Sequence, residues 1–214
     1  IGQNPGTNHP RMLSALKKAK ENGCIIISIN PLAETGLIAF NDPQSVRGIL
    51  GIKASLTDIH LQVRINGDMA LLQAIEYMLL GEEQEHPGTV LDHAFIEKHT
   101  TGFRALEQQI NSSNFRQLLE DSGVPFPLVK QVADILAAKN KIIACWAMGL
   151  TQHKNAVDTI KEVVNLLLMK GSIGKPGAGT CPVRGHRNVQ DNRTMGIYEK
   201  PSKGLVNGLE KGIG

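Results

Sequence analysis

Two short segments of this chain carry the same set of reactive side chains in the same order. GQNPGTNHP (2 to 10) and MGLTQHKNA (148 to 156) each leave an apolar run, pass a glycine, present a threonine, an amide and a histidine, and lead into an amphipathic stretch. Helix N-termini expose unpaired backbone N–H groups and a partial positive charge, so turns of this kind bind phosphates and other anions. At the carboxyl edge of one parallel sheet, two such turns face one crevice. The competing reading is helix capping by Asn8 or Thr7 in the first turn and Thr151 in the second. Gly2-Gln3-Asn4-Pro5-Gly6 is not GxGxxG, so a standard NAD fingerprint is not matched.

A third segment, CPVRGHRNVQ (181 to 190), sets two arginines, a histidine, an asparagine and a glutamine around Gly185. It is read as a loop with neither helical nor strand period. Either it lines a reaction site or it is a solvated loop held by surface salt bridges. Asn30 and Pro31 end an apolar run at the position where dinucleotide folds place a group for ribose hydroxyls. In INGD (65 to 68), Gly67 and Asp68 stand at a helix start. Asp68 there serves as a plain dipole partner or as an acceptor for the ring and amino N–H donors of guanine.

These groups need elements to hold them. A helix is expected over 9 to 22, with Pro10 in its first turn, Met12, Leu13, Leu16 and Ala19 as its apolar stripe, and Gly23 at its end. CIIISIN (24 to 30) and KIIACWAMG (141 to 149) read as strands buried on both faces. Residues 31 to 58 read mostly as loop, with a short strand at 59 to 63. DMALLQAIEYMLL (68 to 80) is apolar around most of its circumference and must be covered; GEEQEHPGT is then expected to break it. Helices follow near 92 to 98, 102 to 110 and 126 to 139, and an amphipathic one over 154 to 169. The tail from Pro201 shows little periodicity. The expected architecture is α/β, a Rossmann-like parallel sheet with flanking helices, over 1 to 183 with a helical insertion at about 92 to 139. Residues 184 to 214 carry the polar loop and the start of the following segment.

The totals agree with a soluble α/β protein. Of 214 residues, 41% are hydrophobic and 20% charged, which excludes a disordered chain. Lys and Arg exceed Asp and Glu by only 23 to 20 and aromatics are 4%, which argues against nucleic acid as a partner. Cys24, Cys145 and Cys181 are far apart, without CxxC or metal-ligand spacing, and Cys24 and Cys145 read as small buried hydrophobes in a reducing compartment. No metal ligand set is expected. No signal peptide or membrane-spanning run is found, and a cytoplasmic location follows as the expectation. Ile1-Gly2 reads as the end of a strand whose body lies upstream, so a piece of a longer protein is expected.

Taken in order, IGQNPGTNHPRM, NGCIIISINPLAET, NGDMALLQA, CWAMGLTQH, GSIGKPGAGTCPVRGHRNVQ and RTMGI resemble the molybdopterin oxidoreductases of the formate-dehydrogenase-like branch. The resemblance implies the middle portion of a larger enzyme that carries molybdenum on two molybdopterin guanine dinucleotides, with an iron-sulfur cluster in a part upstream. It implies that Asn4, Thr7, Asn8 and His9 meet phosphate or ribose, Asn30 and Pro31 the ribose, and Gly67 with Asp68 the nucleotide. Met148 and Gln152 approach the pterin side, and Gly185 and Asn188 join the cofactor site. Arg184 would hold a substrate carboxylate through its planar fork. His186 stands where formate dehydrogenases proper commonly carry glutamine; it would donate to substrate or shuttle a proton, and it leaves formate open as the substrate. VQDNRT also departs from the family's VQGDRT, with Asp191 in place of glycine. The implied partners are formate or a related small acid and an electron-accepting protein or subunit. This piece alone is expected to be catalytically silent. A non-catalytic module that binds a guanine nucleotide is the alternative.

Overall fold

Strand β1, Ile27–Ile29, is the centre of the apolar run after the first long helix, and it pairs in parallel with β2, Ile59–Leu61, in the register Ile27 to Ile59 and Ile29 to Leu61. A second parallel pair joins β3, Ile143–Trp146, to β4, Gly179–Pro182. The computed structural model describes residues 1–40, 55–183 and 202–213. The chain divides into two units, Ile1–Val183 and Arg184–Gly214.

The first two residues connect the strand pairs. The Gly2 N–H donates to the Ile29 carbonyl (3.0 Å), while the Ile1 nitrogen donates to the Cys145 carbonyl (2.7 Å). Ile1 and Gly2 therefore fill the gap between β1 and β3. Alternation then assigns the faces. Ile27, Ile29, Ile59, Leu61, Ala144 and Trp146 turn to one large apolar core, whereas Ser28 and His60 point the other way. Leu13, Leu37 and Leu56 form a smaller cluster with Ile26 and Phe40.

The helices follow local signals. Single-turn α1, Pro5–Asn8, precedes α2, Pro10–Glu21, whose end is closed by Gly23 at φ +83°. One turn, α3, Thr35–Ile38, lies in the stretch expected to be loop. The central helix α4, Asp68–Glu85, buries Leu71, Leu72, Ala74, Ile75, Leu79 and Leu80, as its all-round apolar sequence requires. It does not stop at Leu80. Gly81 has open space around it and costs only its intrinsic propensity, so the helix runs on through GEEQE.

Helix α5, His93–His99, packs on the later helix over Ala156–Met169, while around α4 pack α6, Phe103–Asn111; α7, Phe115–Ser122; and α8, Phe126–Ala138. Helix α7 is absent from the sequence expectation. Its signals are short-range: the Asn114 side chain accepts the Gln117 N–H at 3.2 Å, and Gly123 terminates it at φ +72°. These helices share one apolar core with the strands. After β3 come α9, Met148–Thr151, and α10, Ala156–Met169. Helix α11, Lys203–Ile213, belongs to the second unit and replaces the aperiodic tail that the sequence suggested.

Candidate functional site

The two look-alike turns touch. The Gly149 N–H donates to the Gly2 carbonyl at 3.1 Å. A methyl group at Gly149 would fall on that carbonyl oxygen and lie 2.7 Å from Gly2 Cα, and one at Gly2, which sits at φ +56°, would lie 2.9 Å from Leu150 Cδ1. Only glycine on both sides lets the corners close to this distance. Asn30 completes the junction: buried, it donates from Nδ2 to the Gln3 carbonyl at 2.7 Å, tying the end of β1 to the first turn. Pro31 follows, half-buried, and its carbonyl accepts from Gln62 Nε2 at 3.0 Å.

The turns differ from their expected form in one respect. Each enters a single four-residue turn, α1 or α9, before the long helix begins. So short a helix has little macrodipole, which grows from aligned peptides. Within α1, Pro5 has no N–H and the Asn4 side chain accepts the Thr7 N–H at 3.0 Å, so Asn4 is a cap here. Thr7 and Asn8 are exposed. His9 is half-buried, and its Nδ1 is enclosed without a hydrogen-bond partner. Met148 and Gln152 are exposed on the second corner.

The INGD turn reaches the same region. Asn66 takes a positive φ of 67°, which asparagine tolerates, and the Gly67 N–H closes the turn on the Arg64 carbonyl at 2.8 Å. Gly67 is packed against the end of α7: a methyl there would meet the Asp121 carbonyl oxygen at 2.9 Å. Asp68 is buried, and burial pushes its carboxyl above the ordinary range, opposed by its own backbone N–H and by nearby His153 of the second corner. Asn155, which starts α10, donates to Met69 Sδ at 3.8 Å and leaves its buried Oδ1 without a partner. His153 and Asn155 thus link the INGD turn to MGLTQHKNA.

Sequence reasoning missed two contributors. Gly36 of α3 packs on Gly6, where a methyl would lie 2.9 Å from Gly6 Cα, so the AETG loop backs the first turn. Asn155 is the other, and its only sequence signal is its place beside His153. Strand β4 was also missed. It takes up Cys181 and Pro182 of the polar decapeptide, and the Val183 N–H donates to the Trp146 carbonyl at 2.7 Å. Val183 therefore stands at the same carboxyl edge as Gly149. Arg184, Gly185, His186 and Asn188 lie outside the described residues.

The cysteines need correction. Cys24 is exposed and Cys145 and Cys181 are half-buried, all as free thiols, so none is a fully buried hydrophobe. Among the described residues no group of three or more His, Cys, Asp or Glu could hold a metal ion. No helix among them is long and apolar enough to cross a membrane. Two half-open hollows lie elsewhere, one against Tyr77, Phe115 and Phe126 and another against Ile96, Phe103 and Asn165. The candidate site is an open sheet edge, lined by backbone, amides and glycines.

No protein-family model matches the chain. An uncharacterized oxidoreductase of Mycobacterium tuberculosis is 48% identical over 213 residues, which is 100% of this chain and 27% of that protein. Formate dehydrogenase H of Escherichia coli is 28% identical over 196 residues, covering 92% of this chain and 24% of its own length. Among solved structures, acetylene hydratase from Pelobacter acetylenicus superposes with a TM-score of 0.62 at 20% identity, over 78% of this chain and 20% of that one, which shows a shared fold. The chain thus spans about a quarter of the length of the curated relatives it matches. With the quoted segments in order and these relatives aligned along it, the chain is a homologue of oxidoreductases, formate dehydrogenases among them.

Proposed function

We propose that the joined corners hold the guanosine and pyrophosphate of a molybdopterin guanine dinucleotide, in a Rossmann-like domain of a molybdenum oxidoreductase acting on formate or a related small acid. The observation that carries the reading is the Gly2–Gly149 junction, which brings two amide-rich turns to one sheet edge. The residues present fit such a group. The glycine contacts hold the two turns together at one edge, and His9 Nδ1 and Asn155 Oδ1 are buried polar atoms that lack protein partners.

On this reading Thr7, Asn8 and His9 offer donors to phosphate or ribose, and Asn4 shapes the turn they stand on. Asn30 spends its N–H on Gln3 and meets ribose with its remaining capacity; Pro31 packs beside it. Asp68, backed by His153, accepts from the guanine edge next to Gly67, and Met148 and Gln152 approach the pterin side. Gly185 and Asn188 join the cofactor site, while Arg184 binds the substrate carboxylate and His186 moves a proton near it. The bound molybdenum centre supplies the two-electron redox chemistry; the chain supplies position and charge. An iron-sulfur cluster and an electron-accepting partner belong to the rest of such an enzyme.

The test is made on the full-length protein from molybdate-replete cells: molybdenum content, GMP released on hydrolysis, and formate-dependent dye reduction. A preparation free of both metal and guanine nucleotide refutes the reading. Arg184→Ala separates it from a regulatory guanine-nucleotide module. A catalytic Arg184 predicts lost turnover with cofactor retained; in a regulatory module the change has no effect.

A further inference from the structure

Cys145 and Cys181 are 36 residues apart in sequence and face each other directly across β3 and β4. Opposed residues of neighbouring parallel strands share a face and stand about 4.8 Å apart, inside the window of about 4.4–6.8 Å between Cα atoms that a disulfide spans. The face is the open one. Ala144 and Trp146 turn to the large core, so Cys145 points away from it on the side of Ile143, which is 58% exposed. Both thiols are free and half-buried. Cys145 lies four residues before Gly149, and Cys181 is the third residue before Arg184.

We propose that Cys145 and Cys181 form a reversible dithiol–disulfide site, a covalent clasp between β3 and β4 on the strands that lead to the candidate sheet edge. Nothing in it depends on what the sheet edge binds. The oxidant class is a peroxide. The Cys181 thiolate attacks one peroxide oxygen, the O–O bond breaks, and water leaves once the displaced oxygen is protonated, giving a sulfenic acid. The Cys145 sulfur then attacks that sulfur, its proton leaves with the hydroxyl as a second water, and the S–S bond forms. The two thiols lose two electrons in all and the peroxide gains them. Burial and the adjacent Cys181 push the Cys145 thiol up, which assigns Cys145 the second, resolving step. Direct neighbours on parallel strands hold their Cβ atoms near the strand spacing, wider than the about 3.5–4.5 Å a relaxed disulfide prefers, so the bond is readily reduced again.

The experiment uses the full-length protein, treated with hydrogen peroxide, alkylated, digested and mapped by mass spectrometry before and after dithiothreitol. The expected result is a Cys145–Cys181 linked peptide that disappears on reduction, with alkylation of both thiols falling together by about tenfold, the two cysteines being one redox unit. Cys24, exposed and within electrostatic reach of Cys145, is the competing partner. Cys24→Ser is expected to leave the link intact, and Cys145→Ser to leave Cys181 as a sulfenic acid that dimedone traps. The proposal is overturned if peroxide leaves both thiols alkylatable, oxidises them to separate sulfinic acids, or links either one to Cys24. The wild-type peptide map decides this even where a variant fails to fold.

Discussion

Replacing Gly149 by alanine tests the junction on which the candidate site rests. The added methyl would land on the Gly2 carbonyl oxygen, 2.7 Å from Gly2 Cα and 2.8 Å from its carbonyl carbon. All three are backbone atoms, so no side chain can rotate aside and the two corners must separate. Overpacking of this kind costs about 1–3 kcal/mol, and the absence of a flexible neighbour places Gly149→Ala at about 3 kcal/mol. For a unit of this size, a melting point about 6–12 °C lower follows. Gly81→Ala is the internal control: the same methyl meets nothing within 4 Å on a helix and is expected to stabilise by about 1 kcal/mol. The assay is differential scanning fluorimetry of the full-length protein, paired with its content of bound guanine nucleotide. If Gly149→Ala melts with wild type and keeps the same nucleotide content, the corners do not meet as described.

Three further outcomes follow from single side chains. Glu83 accepts the Gly88, Val90 and Leu91 N–H groups and pairs with His93 at 2.7 Å, which together hold its carboxyl down to about 2 against burial. Its contribution is full above the ordinary carboxylate range and is lost as pH falls through about 2; Glu83→Ala should cost about 2–3 kcal/mol at pH 7 and flatten acid unfolding curves. Glu76 is fully buried on α4, neither oxygen has a partner, and burial followed by nearby Glu162 pushes its carboxyl well up. A raised carboxyl loses stability as pH rises above its unfolded value, so Glu76→Gln should stabilise more at pH 8 than at pH 5 in urea titrations. Buried Lys170 donates from Nζ to the Val90 and Ala137 carbonyls, at 2.5 and 2.9 Å; Lys170→Ala strands both acceptors and should cost about 1–3 kcal/mol, read from the urea midpoint.

Local chemistry made the long elements legible. Helices α2, α4, α8 and α10 and strands β1 to β3 announce themselves by apolar period, by Pro10, and by the glycines that end them. The paired turns were legible because their residue types repeat. What escaped was structure that depends on a partner. GTCP has no strand pattern and becomes β4 only because β3 offers it a free ladder. The GEEQEHPGT stretch splits into helix and loop because the Glu83 carboxylate collects three N–H groups that come after it.

By itself the sequence determined most of the long elements, which residues carry polar chemistry, and which family they resemble, since all of these are properties of nearby residues. Only the tertiary structure decided that Gly2 touches Gly149, that Gly6 rests on Gly36, and that Cys145 stands opposite Cys181. Those pairs are set by the register of strands and the depth to which turns interpenetrate. Neither quantity leaves a trace in spacing along the chain, because each is the outcome of packing the whole core at once.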